Sequence, residues 1–203
     1  MNNVRMVCAY AIAGLLLAFS AAAKDNVGIK SVSTQFQWHE HARLSWDDFK
    51  GPVTASNDES AAATCCAIGF KTTAPVNGGK PGLEVYNTFY VTKSWVRPDA
   101  QMQSILDHEQ GHFDLCELYT RILRQRMAGV DLAKPGVKQE LMQVYADVSK
   151  EYENRQQAYE QETAHGTIIT EQKRWQANIA AELEVLKPYA ITAMNHTAKG
   201  ASM

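Results

Sequence analysis

Two histidines four residues apart, His108 and His112, stand inside a run whose apolar positions recur with the period of an α-helix. From Met102 onward that stripe reads Ile105, Leu106, Glu109, His112, Phe113, Cys116, Tyr119 and Leu123. Pro98 suits the first turn of such a helix and Gly129 suits its end. Residues four apart on a helix lie roughly 40° apart around its axis, so both imidazoles can reach a common point. Buried there without a ligand or partner, two histidines would be costly. The feature therefore constrains the fold strongly: one long helix, buried along one face, with a polar site built into that face.

The segments around this helix read as a small sheet before it and two more helices after it. Ser31–Trp38 alternates strictly, with Val32, Thr34, Phe36 and Trp38 on one side, as a half-buried strand does. Ser45 with Asp48 three residues on resembles a capped helical turn, ended by Gly51-Pro52. Thr64–Thr72 and Leu83–Val91 read as a pair of antiparallel strands, separated by a cluster of Gly, Pro and Asn over residues 74–82. After Pro135-Gly136, the positions Leu141, Val144, Tyr145, Val148, Tyr152 and Tyr159 form one helical stripe, which Gly166 stops. A third helix is expected from about Thr170 to Leu186, with Trp175, Ile179 and Leu183 on one face and Pro188 beyond. A small antiparallel sheet followed by three helices is an α+β domain.

The residues between and beside the histidines complete the pattern His108-Glu109-Gln110-Gly111-His112, the HExxH spacing. Two neutral imidazoles supply two zinc ligands, and Glu109 can take a proton from a metal-bound water rather than bind the metal. A catalytic zinc needs three protein ligands and an open position, so one donor is still required. Leu118 stands where a metzincin would carry its third histidine, and that arrangement is excluded. His165, beside the helix-stopping Gly166, is the first candidate for the third ligand; Glu162 is the second, and Glu160 is a weaker version of Glu162. Glu117 falls about 140° round the helix from His112 and is expected to pair with Arg121. Gly111 costs about 1 kcal/mol in a helix interior relative to alanine, which points to a close approach by a neighbouring group. His39 and His41 flank Glu40 in a polar connection and read as an exposed pair, and His196 falls in the tail.

Residues 1–23 read as an export signal: Arg5, an apolar stretch from about Met6 to Phe19, then Ala21-Ala22-Ala23 at a cleavage site before Lys24. The expected organisation is a signal peptide over 1–23, a domain over 24–192 and a loose tail over 193–203, with the product in the periplasm or secreted. Without Arg5 the formal charge moves from −2 to −3, with no basic patch, so nucleic acid is not an expected partner. No second apolar segment approaches the ~20 residues of a spanning helix, so no membrane association is expected after cleavage. Cys65, Cys66 and Cys116 would then meet an oxidising compartment. Cys65 and Cys66 point to opposite faces of a strand, so one of them can face Cys116; one disulfide with a spare thiol and three buried thiols are both open readings.

Several of these motifs together resemble a bacterial domain-of-unknown-function family described as predicted secreted zinc-dependent proteases. The resemblance rests on Leu44-Ser45-Trp46-Asp47-Asp48-Phe49-Lys50-Gly51-Pro52, on Ser94-Trp95-Val96, and on His108-Glu109-Gln110-Gly111-His112-Phe113-Asp114-Leu115. It continues through Glu117-Leu118-Tyr119-Thr120-Arg121 and Glu162-Thr163-Ala164-His165-Gly166, with Gln172 and Trp175. It implies a zincin-like peptidase with His108 and His112 as zinc ligands and Glu109 as the catalytic carboxylate, acting on a peptide or protein. For His165 it offers a recurring residue without a role. Cys65-Cys66 departs from the family's small or hydroxyl residues, which bears on redox state. By analogy with zincins, the strand Leu83–Val91 is expected to pair with an extended substrate, and Tyr159 or Tyr119 is available to assist a developing oxyanion. The competing expectation is a non-catalytic periplasmic zinc-binding or envelope interaction protein.

Overall fold

The computed structural model describes residues 33–39, 43–53, 60–73 and 81–191. The expected signal segment, His41, His196 and the tail lie outside the described residues. Among the described residues five strands precede three helices, the α+β order expected: β1 (Gln35–Phe36), β2 (Ala62–Ala63), β3 (Cys66–Thr73), β4 (Gly82–Tyr90), β5 (Trp95–Val96), α1 (Gln103–Met127), α2 (Val137–Thr163) and α3 (Ile169–Val185). The strands form an antiparallel sheet in the order β1-β4-β3 and a separate β2-β5 pair.

The pair β3–β4 carries the expected hairpin pairing, with its register running from Cys66↔Phe89 to Thr73↔Gly82. The first strand is shorter than its alternation predicts among the described residues. Only Gln35 and Phe36 pair, with Tyr90 and Phe89. The ladder stops because the backbone N–H of Trp38 donates to the Asn87 side chain (2.8 Å) instead of to a strand. β4 is thus flanked on both sides at Phe89–Tyr90, and that end cannot accept an added substrate strand.

The helix expected from the Pro98 region begins later. Pro98–Ala100 forms a separate 3-10 turn, and α1 starts at Gln103. Pro98 opens that short turn as it would open a longer helix, because its missing N–H costs nothing there. α3 begins and ends one residue from the periodicity reading, whereas α2 starts at Val137 as expected but ends at Thr163, three residues before Gly166, because Ala164 already turns left-handed.

α1 is the centre of the packing. Phe113, Leu115, Cys116, Leu118 and Leu123 are at most 1% exposed, so the helix is covered on almost every side. An aromatic cluster seats it on the sheet: Phe89 stacks on Phe36 (4.9 Å) and meets Phe113 (5.3 Å) and Phe49 (5.6 Å) edge-on. Opposite, α2 runs antiparallel to α1 and α3 parallel, since His112 meets Gln156, His108 meets Glu160 and Gln172, and Arg121 meets Leu183.

The segment Leu44–Pro52 is tied to the same frame. Its Ser45/Asp48 capping box is present, with the Ser45 N–H on the Asp48 carboxylate (2.8 Å). Leu44 N–H donates to Gln110 of the HEQGH motif (2.8 Å). Gly51 passes so close to the 93–94 backbone that a Cβ would sit 2.8 Å from Ser94 O. A second polar network lies further along α1. Glu117 is buried, paired with Arg121 Nε (2.7 Å) as its spacing predicts, and accepts from Asn87 Nδ2 (2.6 Å). Cys65, Cys66 and Cys116 are buried free thiols. Cys66 is the one that faces Cys116, and Cys66 Sγ also lies 3.3 Å from Tyr152 Oη. Among the described residues no helix is long and apolar enough to cross a membrane.

Candidate metal centre

One turn of α1 places His108 and His112 on the face that meets α2, and α2 places Glu160 opposite them. The inward atoms of the three residues, two ring nitrogens and the two oxygens of Glu160, form a small cluster. His108 Nε2 and His112 Nε2 are 3.2 Å apart, Glu160 Oε2 is 3.3 Å from the first, and Glu160 Oε1 is 3.4 Å from the second. Donors held about 2.0–2.1 Å from a tetrahedral ion lie about 3.3 Å from one another. His108, His112 and Glu160 therefore form a group that can hold a metal ion.

The second nitrogens of the rings decide what the first ones present. His112 Nδ1 lies 2.6 Å from Gln156 Oε1, and Gln156 Nε2 donates to His112 O (3.1 Å) and Tyr152 Oη (2.8 Å). A carbonyl can only accept, so the amide nitrogen of Gln156 must face it and its oxygen must face the ring. His108 is held the same way: Nδ1 is 3.1 Å from Gln172 Oε1, while Gln172 Nε2 donates to Asp107 O (3.3 Å) and Tyr159 Oη (2.7 Å). Both rings therefore donate from Nδ1, and both Nε2 lone pairs point into the triangle. Three acceptors converge with no donor assigned to the middle. Only a cation or a proton satisfies such an arrangement.

Tyr159 fixes the frame behind the rings. It is fully buried, stacks on His108 (4.8 Å, 18°) and donates from Oη to His108 O (3.0 Å). Burial pushes its hydroxyl well above the usual tyrosine range. Gly111 is the matching feature of α1: a Cβ there would stand 2.2 Å from Tyr159 Oη and 2.6 Å from its Cζ. The close approach expected of Gly111 is thus that of Tyr159 on α2. Gly166 plays a similar part from the other side, since a Cβ there would stand 2.8 Å from His108 Cβ.

The electrostatics favour positive charge in the triangle. Burial opposes ionisation of His112, yet the hydrogen bond and charge of Glu160, with the charge of Glu109 and the Gln156 bond, push its pKa up to about 9. Burial likewise opposes ionisation of Glu160, but His108 and His112 hold its carboxyl well below the usual range. Glu109 is buried beside them, and its Oε2 has no hydrogen-bond partner among the described residues. Its backbone is pinned instead, with Thr64 Oγ1 donating to Glu109 O (3.2 Å). A buried carboxylate oxygen without a donor is expensive to maintain and marks a position reserved for something that brings a proton.

His165, the expected third donor, is not part of the group that can hold an ion; His108, His112 and Glu160 form it. Ala164, His165 and Gly166 all turn left-handed (φ 46°, 57° and 79°), which reverses the chain after α2. The half-exposed His165 ring then lies against the outer side of the site, with Nδ1 2.7 Å from Glu160 Oε2. Glu162 points elsewhere and binds Arg174 (2.6 Å) and Trp175 Nε1 (2.9 Å). Tyr159 has its hydroxyl engaged within the packing, and Tyr119 lies two turns past His112 against Tyr152 (5.5 Å), so neither is presented to a substrate at the triangle. His39 is exposed, in line with its sequence reading.

Residue type ranked Glu160 behind His165 and Glu162, and it did not single out Gln156 or the role of Gln172. A signal did exist in α2. The apolar stripe through Val148 and Tyr152 continues four residues on to Gln156 and four more to Glu160, so the polar residues on that stripe mark where it meets the histidines. Glu162 lies about 200° from Glu160 around the helix and cannot share that face.

Among curated proteins and solved structures no match was found. Residues 87–166, from the middle of β4 through α1 and α2 to the left-handed turn, match a family described as a bacterial protein of unknown function (DUF922).

Proposed function

We propose that the chain is an exported zinc-dependent hydrolase, a peptidase, with His108, His112 and Glu160 as the zinc ligands and Glu109 as the general base. The observation that carries this reading is the conjunction of three inward acceptor groups, with nearest atoms 3.2, 3.3 and 3.4 Å apart, and a buried Glu109 oxygen without a partner among the described residues on the same turn of helix. Two nitrogens and a carboxylate oxygen suit zinc, and three protein ligands leave a fourth position open. When bound, zinc would supply Lewis-acid polarisation and a water acidic enough to ionise near pH 7. Glu109 Oε2 accepts a proton from the attacking water and returns it to the leaving amine. Gln156 and Gln172 keep the two rings in the Nδ1–H tautomer throughout, and Tyr159 keeps the His108 turn in place. Export follows from residues 1–23 and fits a peptidase kept apart from cytosolic proteins.

A purely zinc-binding protein would need the triangle but would have no use for a buried carboxylate with an unpaired oxygen. The deciding experiment compares wild type with Glu109→Gln, measuring bound zinc by elemental analysis and hydrolysis on a mixed peptide library. Both proteins should hold one zinc per chain, and cleavage should fall by roughly 10²–10⁴ in the variant, the usual contribution of a positioned base. Equal cleavage by the variant removes Glu109 from the chemistry. Failure of the wild type to take up zinc removes the reading altogether.

A further inference from the structure

His165 remains unused by that reading, although its backbone is held in a conformation that few non-glycine residues adopt. Ala164 at φ 46° and His165 at φ 57° are consecutive left-handed non-glycine residues, followed by Gly166 at φ 79°. Left-handed backbone is unfavourable for a non-glycine residue, and such strain gathers where a side chain must be aimed. The turn is stabilised by several local bonds: His165 N–H to Glu160 O (3.0 Å), Ile168 N–H to Thr163 O (2.9 Å), and Gly166 N–H to Thr163 Oγ1 (3.2 Å). It is also wedged onto the site, because Gly166 packs directly against His108. This geometry places His165 Nδ1 2.7 Å from Glu160 Oε2.

That contact acts on the one member of the triangle that rotates. The two imidazoles are fixed by their glutamines, whereas Glu160 sits on a flexible side chain and faces His108 with one oxygen and His112 with the other. With a metal on both histidine Nε2 lone pairs, the ring N–H that reaches Glu160 is that of His165. Resting on the zinc-site reading above, we propose that His165 is a positioning residue: its Nδ1–H holds Glu160 Oε2, so that the carboxylate is locked in rotation and Oε1 is the oxygen offered to the metal. A metal-ligating histidine or carboxylate held by such an outer hydrogen bond binds its ion more tightly, and loss of the bond costs about 10–100-fold in affinity.

The side chain and the backbone can be separated by choice of substitution. His165→Gly removes the ring and relaxes the left-handed backbone, so any lost affinity cannot come from strain. His165→Asn tolerates the same φ and carries its Nδ2 at the same bond distance from Cβ as the imidazole Nδ1. His165→Gln places its amide nitrogen one methylene further out. Zinc affinity is to be measured on the full chain by competition with a chromophoric chelator, and the site examined by cobalt(II) absorption, with thermal melting as a check of folding. The expected result is a loss of about 10–100-fold in zinc affinity for the glycine variant, recovery to within a few-fold of wild type for the asparagine variant, and no recovery for the glutamine variant. The cobalt bands of the asparagine variant should coincide with those of wild type. Wild-type affinity in the glycine variant overturns the positioning role while leaving the zinc site standing. An asparagine variant as weak as the glycine one, with shifted cobalt bands, overturns it in favour of His165 as a direct ligand. If wild type binds neither metal, it is the zinc-site reading that fails.

Discussion

Replacing Gly111 by alanine sets two known effects against each other, and the structure decides which wins. In an exposed helix the change would stabilise by about 1 kcal/mol through helix propensity. Here the new methyl would stand 2.2 Å from Tyr159 Oη and 2.6 Å from Cζ, well inside van der Waals contact. Tyr159 is 0% exposed and wedged between His108 and Trp175, so it has no free direction in which to retreat. Overpacking of this kind costs about 1–3 kcal/mol. Moving the ring also strains its bonds with His108 O (3.0 Å) and Gln172 Nε2 (2.7 Å), each contributing about 1 kcal/mol. The net expectation is a destabilisation on the order of 2–4 kcal/mol. For a chain of this size that lowers the melting temperature by roughly 5–15 °C.

The assay is a double-mutant cycle with Tyr159→Phe, read by thermal and urea unfolding. Phenylalanine removes the atom at 2.2 Å but leaves the ring carbon at 2.6 Å, so rescue should be partial. A coupling between the two sites of about 0.5–3 kcal/mol is expected, with the sign that makes alanine less harmful beside phenylalanine. An alanine variant that melts at or above wild type would refute the argument, because propensity would then have outweighed the clash. Strict additivity of the two changes would refute it differently, by showing that the ring is not what the methyl meets.

Two further expectations follow from the same site. Gln156→Leu keeps the side chain's bulk but removes the acceptor on His112 Nδ1, so zinc affinity should fall by about 10–100-fold while the fold persists; unchanged affinity in a chelator competition would show that the tautomer is fixed some other way. Chelator-stripped protein should be most stable between the ordinary carboxylate and histidine values, about pH 4.5–6.5. The raised pKa of His112 contributes stability that is complete below 6.5 and is lost as pH rises to about 9, roughly 3 kcal/mol in all, while the depressed carboxyl of Glu160 contributes stability lost as pH falls below 4.5. Stability of the stripped protein that does not decline between pH 6.5 and 9, measured by urea titration, would contradict the assigned His112–Glu160 pairing.

The elements of the fold were legible because each rests on a local period or a local stop. Strands β3 and β4 lie within a residue or two of the sequence reading, and α3 begins and ends one residue from it. The exceptions are places where a distant group intervenes. β1 ends early because Asn87, on another strand, takes the Trp38 N–H. Pro98 opens a separate turn because Ala100 is buried and Met102 leads into α1 as its cap. Asn87, the partner at the first break, is not recoverable from the sequence near it.

The third donor shows why the site was harder to read than the helix that carries it. Position along the chain favoured His165, since it is a histidine beside a helix stop, and that reasoning did find the right turn of chain. What it lacked was phase. Tyr152, Gln156 and Glu160 are spaced by four, and the first two are buried against α1 in the structure. A helix that packs antiparallel on the HEQGH face must present that row to His112 and then to His108, whatever its last residues are. The row turns from Tyr to Gln to Glu as it advances, which is the order of a wall, a hydrogen-bond acceptor and a candidate ligand. His165 then comes into contact only because the chain reverses left-handed at Ala164, and it arrives at Glu160 from outside. The histidine chosen by its chemistry and the glutamate chosen by its phase are thus consecutive layers of one site, with zinc affinity the quantity that tells them apart.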